Sequence, residues 1–424
     1  MIRASRHPDT SRRSVAARAL VATAFVLLAC GPEGGDSTVS DGSMASAVSD
    51  ANVPRLELEE DLRIGSLDGP EEETFTSIGL VAVAVAPSDD VHVFDSRDRS
   101  IRVFAADGTH RYTYGGRGEG PGAFQIVSAI AVGPDSVIVF DGRLYHVFDI
   151  EGQFIDARAY EGPADERRIP IGSAAWTERG WLVTERVRPV YGNGPRGAGV
   201  VRGPFNQTTH ARVFDPATGS FGPPFATAVH PDEFLVGEIG FLRMAMLSPP
   251  VETAISTDGS VFISHSGDYE VEEWHPDGSR GPGVTRRIER IPVTDEDMEA
   301  EIRRNVEEFE ARGALQGESK LAYDMWRNDI RGLGHVDFRP IIGYLIADQG
   351  GRLLVHRADM DPDPFESGDA SDWDVFDSGG GLVGRFTAAP GIRMYAYDHP
   401  FVYGTVRDEV DVVYLVRWRI AEPG

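Results

Sequence analysis

The chain has 424 residues, 41% of them hydrophobic and 25% charged, so it can bury a large core. Its formal net charge of -26 repels other polyanions, which argues against nucleic acid and anionic lipid head groups as partners. It has one cysteine, so a disulfide within the chain is excluded.

Residues 1–29 have the composition of an export signal. An arginine-rich start precedes the apolar run Ala19–Leu28, which is too short to span a membrane as a helix. The Leu-Leu-Ala-Cys sequence that ends at Cys30 resembles the lipobox of bacterial lipoproteins. This resemblance implies cleavage before Cys30, acylation of its sulfur and its new amino group, and stable anchoring in a membrane. A secretory signal with an incidental cysteine is the alternative.

Two features follow the cysteine. Gly31 stands where the lipoprotein family has Asp as its inner-membrane retention signal. The resemblance therefore implies the outer membrane, with the protein facing either the periplasm or the cell surface. Residues 30–53 are mostly small or polar, which is typical of a flexible tether that would hold the folded part, residues 54–424, off the membrane.

After residue 90 one pattern of strands recurs six times. A small apolar strand, a tight turn and a second strand precede a third strand that ends in an aromatic residue, and a polar fourth strand usually follows. The aromatic residues are Phe104, Phe148, Phe214, Trp274, Phe376 and Trp418. A unit of this size cannot bury its apolar face alone and must stack on copies of itself. The repeat therefore predicts an all-β fold, a six-bladed β-propeller over residues 54–424.

The last repeat predicts how the ring closes. It stops near Ile420 without a fourth strand, whereas Arg55–Ile64 precedes the first repeat as a strand with no blade of its own. Pairing these two segments would remove an open sheet edge. We therefore expect the N-terminal strand to complete the sixth blade.

The connection Gly115–Phe124 has the sequence Gly-Gly-Arg-Gly-Glu-Gly-Pro-Gly-Ala-Phe. It resembles the Gly-Pro-Gly-x-Phe linker of bacterial six-bladed propeller lipoproteins related to NHL repeats. The resemblance implies the propeller fold and the envelope location. That group is largely without assigned activity, so the resemblance implies no reaction. A phosphate-binding loop is excluded, because a strand and not a helix is predicted next.

The long connections are predicted on one face of the propeller. The tight turns, first to second strand and third to fourth, share the opposite face. The insertions are Arg186–His210, Pro223–Pro250, a helical segment at about residues 294–335 between blades four and five, and an acidic loop at residues 359–374. In the helical segment Thr294 and Asp297 form a capping-box pattern before apolar residues at helical spacing.

One polar residue per blade ends the second strand, beside these long connections. In chain order these candidate ligand-binding residues are Asp95, Asp141, Glu185, His265, Arg357 and Thr405. The alternative is that they cap strand ends by bonding to backbone amides. That alternative is favoured for Asp95 and Asp141, whereas for Glu185, His265 and Arg357 the two interpretations are closer.

No metal, cofactor or catalytic residue is predicted. The histidines lack paired metal spacing, and Cys30 is used by the anchor. Asp359, Asp361 and Asp363 have calcium-type spacing, but Pro364 stands where a calcium loop needs glycine, which favours a solvated acidic loop and leaves calcium binding open.

The sequence favours a membrane-anchored, monomeric binding or scaffold module whose loop-rich face meets an unidentified protein, peptide or glycan. The alternative is a propeller hydrolase or lyase with a metal or acid–base site at the channel mouth, built from Asp141, Glu185 and His265.

Overall fold

The structure, a computed structural model, describes residues 53–142, 144–160, 166–189, 201–236, 242–248, 251–265, 267–311, 318–358, 370–410 and 412–422. Cys30, residues 30–52 of the tether, and residues 359–369 of the acidic loop lie outside these ranges. The described residues form six antiparallel sheets, as the repeat predicts, and each sheet is one blade.

The strands follow the repeat in chain order. The N-terminal strand is β1 (Glu57–Ile64), which belongs to blade six. Blade one contains β2 (Ile78–Val85), β3 (Val91–Asp95), β4 (Ser100–Phe104) and β5 (His110–Gly115). Blade two contains β6 (Val127–Val132), β7 (Ser136–Asp141), β8 (Leu144–Asp149) and β9 (Phe154–Ala159). Blade three contains β10 (Glu166–Thr177), β11 (Gly180–Pro189), β12 (Val201–Asp215), β13 (Ser220–Phe221), β14 (Ala226–Val236) and β15 (Leu242–Met244).

The second half continues the same way, with two helices between blades four and five. Blade four contains β16 (Thr253–Ile255), β17 (Val261–His265), β18 (Tyr269–Trp274) and β19 (Val284–Arg286). The helices are α1 (Asp295–Ala311) and α2 (Glu318–Leu333). Blade five contains β20 (Ile342–Ala347), β21 (Leu353–Arg357), β22 (Ser371–Phe376) and β23 (Leu382–Ala388). Blade six contains β24 (Arg393–Asp398), β25 (Phe401–Arg407) and β26 (Val413–Ala421), followed in the sheet by β1.

Stacking of the blades supplies the core. The innermost strands β2, β6, β10, β16, β20 and β24 touch in that order, and β24 touches β2 again, so the ring is closed. In blades two, three and five the repeated aromatic residue packs against a tyrosine of the preceding blade. Phe148 lies 4.8 Å from Tyr114 between ring centroids, and Phe214 lies 4.9 Å from Tyr145. These buried aromatic pairs connect blade to blade.

The Gly-rich connection after blade one is required by close packing. Gly115 has a φ of +80°, and a Cβ there would lie 2.1 Å from the Phe124 ring. A side chain at this position would therefore displace a fully buried aromatic residue.

Blade three departs from the expected plan. The predicted loop Arg186–His210 instead continues strands β11 and β12 as a ladder that extends past the ring. Pairing of β12 with β14 runs from Val201 opposite Val236 to Ala211 opposite Ala226. The described parts of the insertion, residues 186–189 and 201–210, therefore form a sheet extension, because β12 finds a partner strand in β14.

The helical insertion is confirmed. Asp297 N–H donates to Thr294 Oγ1 at 3.2 Å, and Thr294 N–H donates to Asp297 Oδ2 at 2.9 Å, so the capping box forms at the start of α1. The apolar faces of the helices meet at Met298, Ile302 and Ile330, and α2 packs against β14 and β15. Neither helix among the described residues is long and apolar enough to cross a membrane.

The N-terminal strand closes the ring as predicted. Strand β1 pairs antiparallel with β26, from Glu57 opposite Ala421 to Ile64 opposite Leu415. Just before it, Leu56 N–H donates to the Arg385 carbonyl of blade five at 2.7 Å. The N-terminal segment therefore completes blade six and also attaches to its neighbour.

We expect Ile64→Ala to lower the free energy of unfolding by about 2 to 5 kcal/mol, because it leaves a cavity in the core. The matched control is Glu59→Ala on the exposed side of the same strand, which should change the free energy of unfolding by less than about 0.5 kcal/mol. Urea titration of both purified variants measures the difference. Equal stability of the two variants would show that β1 does not contribute to the closed ring.

Candidate functional site

The six candidate residues all lie on second strands, near the loop-rich face. Four of them end their strands, whereas Glu185 and Thr405 lie inside strands that extend further. Their contacts divide them into structural carboxylates, ion-paired residues and one residue that contacts a tyrosine of the channel lining.

Asp95 and Asp141 bind backbone amides of the connection that precedes their own blade. The buried Asp95 carboxylate accepts from Thr76 N–H at 2.7 Å in that connection, and also from Arg97 N–H at 3.0 Å in the turn between β3 and β4. Asp141 accepts from Gln125 N–H at 2.7 Å. These are the contacts that the capping alternative expects, and each fixes an inter-blade connection.

His146 extends the Asp141 cluster. Its Nε2 lies 3.6 Å from Asp141 Oδ2, and its ring is buried among phenylalanines. Burial lowers the pKa of His146, and the Asp141 carboxylate opposes this effect only in part. A neutral imidazole therefore packs in the core here.

Glu185 is buried in an ion pair. Its Oε1 lies 2.5 Å from Arg212 Nε on the neighbouring strand β12. Breaking one partner of such a pair leaves a buried charge, so the pair fixes the register at the base of the blade three extension.

His265 is the most accessible of the charged candidates. Its ring stacks on His230, with centroids 5.0 Å apart, and its Nε2 lies 3.6 Å from Glu272 Oε2. Arg280 Nη2 lies 3.1 Å from the other oxygen of Glu272. Across the described residues, no group of three or more His, Cys, Asp or Glu is placed to hold a metal ion.

Arg357 belongs to a charged cluster around Asp374. The Asp374 side chain is fully buried, and Arg357 Nη1 lies 3.8 Å from its Oδ2. The same carboxylate accepts from Tyr269 Oη at 2.8 Å and from Arg385 Nε at 2.8 Å, and it also pairs with Arg286. Since Tyr269 and Arg286 come from blade four, the cluster ties two blades together.

Thr405 leads toward the central channel. Its Oγ1 lies 3.2 Å from the hydroxyl of Tyr395, a residue that lines the channel. The channel encloses a cavity of about 540 Å³ between the six innermost strands. Each of these strands is an edge of its sheet, so backbone N–H and C=O groups face the cavity.

Glu252 is a channel residue that aligning the second strands did not single out. It directly precedes β16 and lines the cavity, with 21% of its side chain exposed. Its one charged neighbour among the described residues is Arg186, whose Nη2 lies 3.7 Å from Oε1. Burial raises the pKa of Glu252 to about 7, and Arg186 offsets this only in part.

The lining of the channel reaches the tight-turn face, where it is acidic. Asp348 and Asp398 lie in the tight turns there. Burial, followed by the charges of Asp89 and Asp348, raises the pKa of Asp398. The second strands led us to expect the site at the loop-rich face, whereas this cavity extends to the other end.

The sequence held a signal for Glu252. Aligning the first strands instead of the second ones puts Glu252 opposite Ala129 and Ser173 of blades two and three. A carboxylate where blades two and three have small residues stands out in that alignment.

No protein-family model and no curated protein matches this sequence. Among solved structures, a member of the DUF4221 family from Bacteroides vulgatus aligns over 87% of this chain and 99% of its own, with 10% identity and a TM-score of 0.50. A Bacteroides fragilis protein named as exported aligns over 88% and 97%, with 11% identity and a TM-score of 0.44. Virginiamycin B lyase from Staphylococcus aureus aligns over 85% and 99%, with 9% identity and a TM-score of 0.38. At these identities the DUF4221 similarity shows a shared fold alone.

Proposed function

We propose that this protein is a lipid-anchored, extracytoplasmic binding module that presents its loop-rich face to a protein, a peptide or a glycan. The anchor would be Cys30, and the location would be the cell envelope, on the outer membrane. The observation that carries the proposal is the difference between the two faces of the ring.

The connections of the two faces differ in length and in content. On the tight-turn face the described connections are short and end in glycine or aspartate turns, as at Gly108 and Gly152. On the loop-rich face lie the two helices and the extension of blade three. A rigid ring that carries its long segments on one side is typical of a binding scaffold.

Exposed apolar side chains also lie on the loop-rich face. Four of them are at connections of blades six, one and two: Leu67, Ile126, Leu144 and Val410, which are 64%, 68%, 41% and 69% exposed. Large apolar side chains at loop tips are better accommodated when a protein or peptide partner covers them than when they are exposed to water.

The hydrolase or lyase alternative receives no support from its two predicted carboxylates. Asp141 is engaged by backbone amides, and Glu185 is engaged by Arg212. A general acid or base needs to reach a substrate, so these contacts favour a structural role for both carboxylates.

The anchor is tested by Cys30→Ser. Without the thiol no diacylglyceryl group can be attached, so we expect the protein to move from the membrane fraction to the soluble envelope fraction. The matched control is Ser37→Ala in the tether, which should stay with the membrane. Fractionation and immunoblotting measure the distribution, and a Cys30→Ser protein that remains membrane-bound would contradict the lipobox interpretation.

The binding face is tested by site-specific photo-crosslinking in cells. A photoreactive amino acid at position 126 or 144 should crosslink to a discrete partner on the loop-rich face. The matched controls are positions 135 and 151, the exposed Asp135 and Glu151 in tight turns of the same blade. Mass spectrometry identifies the products. Crosslinks that are equally frequent at both pairs of positions would contradict the proposed face.

A further inference from the structure

The central channel has the dimensions of a ligand site. Its cavity of about 540 Å³ lies within the range of about 300 to 1,000 Å³ that is typical of small-molecule sites in proteins. The closed ring of blades holds its walls in place, so the cavity exists before any ligand enters. This feature is separate from the loop-rich face, and an inference from it does not depend on that face.

The charge of the lining selects the kind of ligand. Among the described residues that line the cavity, three are carboxylates, Glu252, Asp348 and Asp398, and none is Arg, Lys or His. Walls of low polarizability focus the negative potential of such groups into the cavity. Anions are therefore disfavoured and cations are concentrated there.

Glu252 and two tyrosines occupy matching positions on their strands. Positions on the first strands can be compared through the residue that pairs with the second residue of the second strand. In blade four Phe262 of β17 pairs with Ala254, and in blade five Leu354 of β21 pairs with Ile346. Two residues before these partners lie Glu252 and Tyr344. In blade six Val402 pairs with Tyr397, and the residue two positions before Tyr397 is Tyr395. In blades five and six this count crosses a register irregularity, at Tyr344 and at Tyr395, so the three lining residues lie at about the same level of the channel.

We propose that the channel binds a small organic ammonium ion, which the Glu252 carboxylate pairs with and the rings of Tyr344 and Tyr395 contact at the same level. A carboxylate beside aromatic rings matches an alkylammonium group, because the rings attract a cation through their faces while the carboxylate neutralises it. The Tyr395 hydroxyl lies 3.2 Å from Thr405 Oγ1 and donates to the Ile78 carbonyl at 3.4 Å, and it also interacts with Arg393, so this ring is fixed in place.

The electrostatic state of Glu252 agrees with this assignment. Its pKa of about 7 shows that Arg186, the only charged group that faces it within the described part of the chain, does not fully compensate for burial. The Arg186 guanidinium also donates to the Val251 carbonyl, so it is oriented partly away from the carboxylate. A bound ammonium ion would supply the missing positive charge.

The acidic tight-turn end gives the same ion a route of entry. Asp348 and Asp398 lie at that end of the lining; Arg352 pairs with Asp348 at 3.4 Å, whereas burial and then the charges of Asp89 and Asp348 raise the pKa of Asp398. From Glu252 to the level of Asp398 is three residues along a strand, or about 10 Å. Asp398 at the mouth and Glu252 further in would draw a cation inward.

Isothermal titration of the full-length protein tests the proposal with choline as the probe. Its neutral isostere 3,3-dimethyl-1-butanol and the anion acetate are the comparison ligands. We expect choline to bind at least about tenfold more tightly than the isostere, because only choline can form an ion pair and a cation–π contact in the cavity. We expect acetate not to bind. The proposal would be overturned if no binding were detected at about 10 mM choline, or if choline and its isostere bound equally well.

The role of Glu252 is tested by E252Q, which keeps the shape of the side chain and removes its charge. The matched control is E270Q, on an exposed position of β18 in the same blade. E252Q should bind choline about tenfold more weakly, and E270Q should bind as the wild type does. Unchanged binding by E252Q would overturn the assignment, and thermal melting of both variants establishes that they fold.

A pH series gives a second readout that needs no variant. Choline should bind the ionised carboxylate, and since the pKa of Glu252 is about 7, affinity should fall about tenfold from pH 8 to pH 6. Choline raises the fraction of ionised Glu252, so binding should also release protons near pH 7. The E252Q protein should lack this pH dependence. A flat wild-type profile would contradict a site on Glu252.

Discussion

Every part of this molecule depends on the stacking of blades that cannot bury their apolar faces alone. Blades one, two and four each contribute a tyrosine to the next blade, as Tyr114 does for Phe148 and Tyr145 for Phe214. The stack becomes stable when it closes, because closure leaves no blade with an uncovered face. Strand β1 performs that closure by pairing with β26 and bonding to blade five through Leu56.

Buried charges reinforce the same contacts between neighbouring segments. Asp95 and Asp141 hold the connections that enter their blades, and Asp374 ties Tyr269 and Arg286 of blade four to blade five. Since burial of an unpaired carboxylate is costly, each of these residues fixes one arrangement of its partners. Polar residues at the ends of second strands therefore have a structural role in the ring. Their shared position is for this reason weak evidence for a ligand site.

The sequence was sufficient for the fold but only partly for the site. The aromatic repeat, the capping box of Thr294 and the unpaired strand before Ile64 are local signals, and the structure agrees with all three. The extension of blade three depends on pairing between Val201 and Val236, a distant contact that periodicity cannot show. An alignment of the second strands does not include Glu252 as a candidate site residue, because it directly precedes a first strand, β16.

The position of Glu252 is itself an argument that the channel has a role. In blade two the matching position holds Ala129, which would cost nothing to bury, whereas Glu252 is destabilising when it is ionised. Because its folded-state pKa lies above that of an unfolded chain, the penalty grows as pH rises through about 7 and is absent below the unfolded value. Local rules of stability are broken most often at functional sites. A carboxylate that weakens the empty ring at neutral pH, and that a bound cation would stabilise, fits that pattern better than a structural role does.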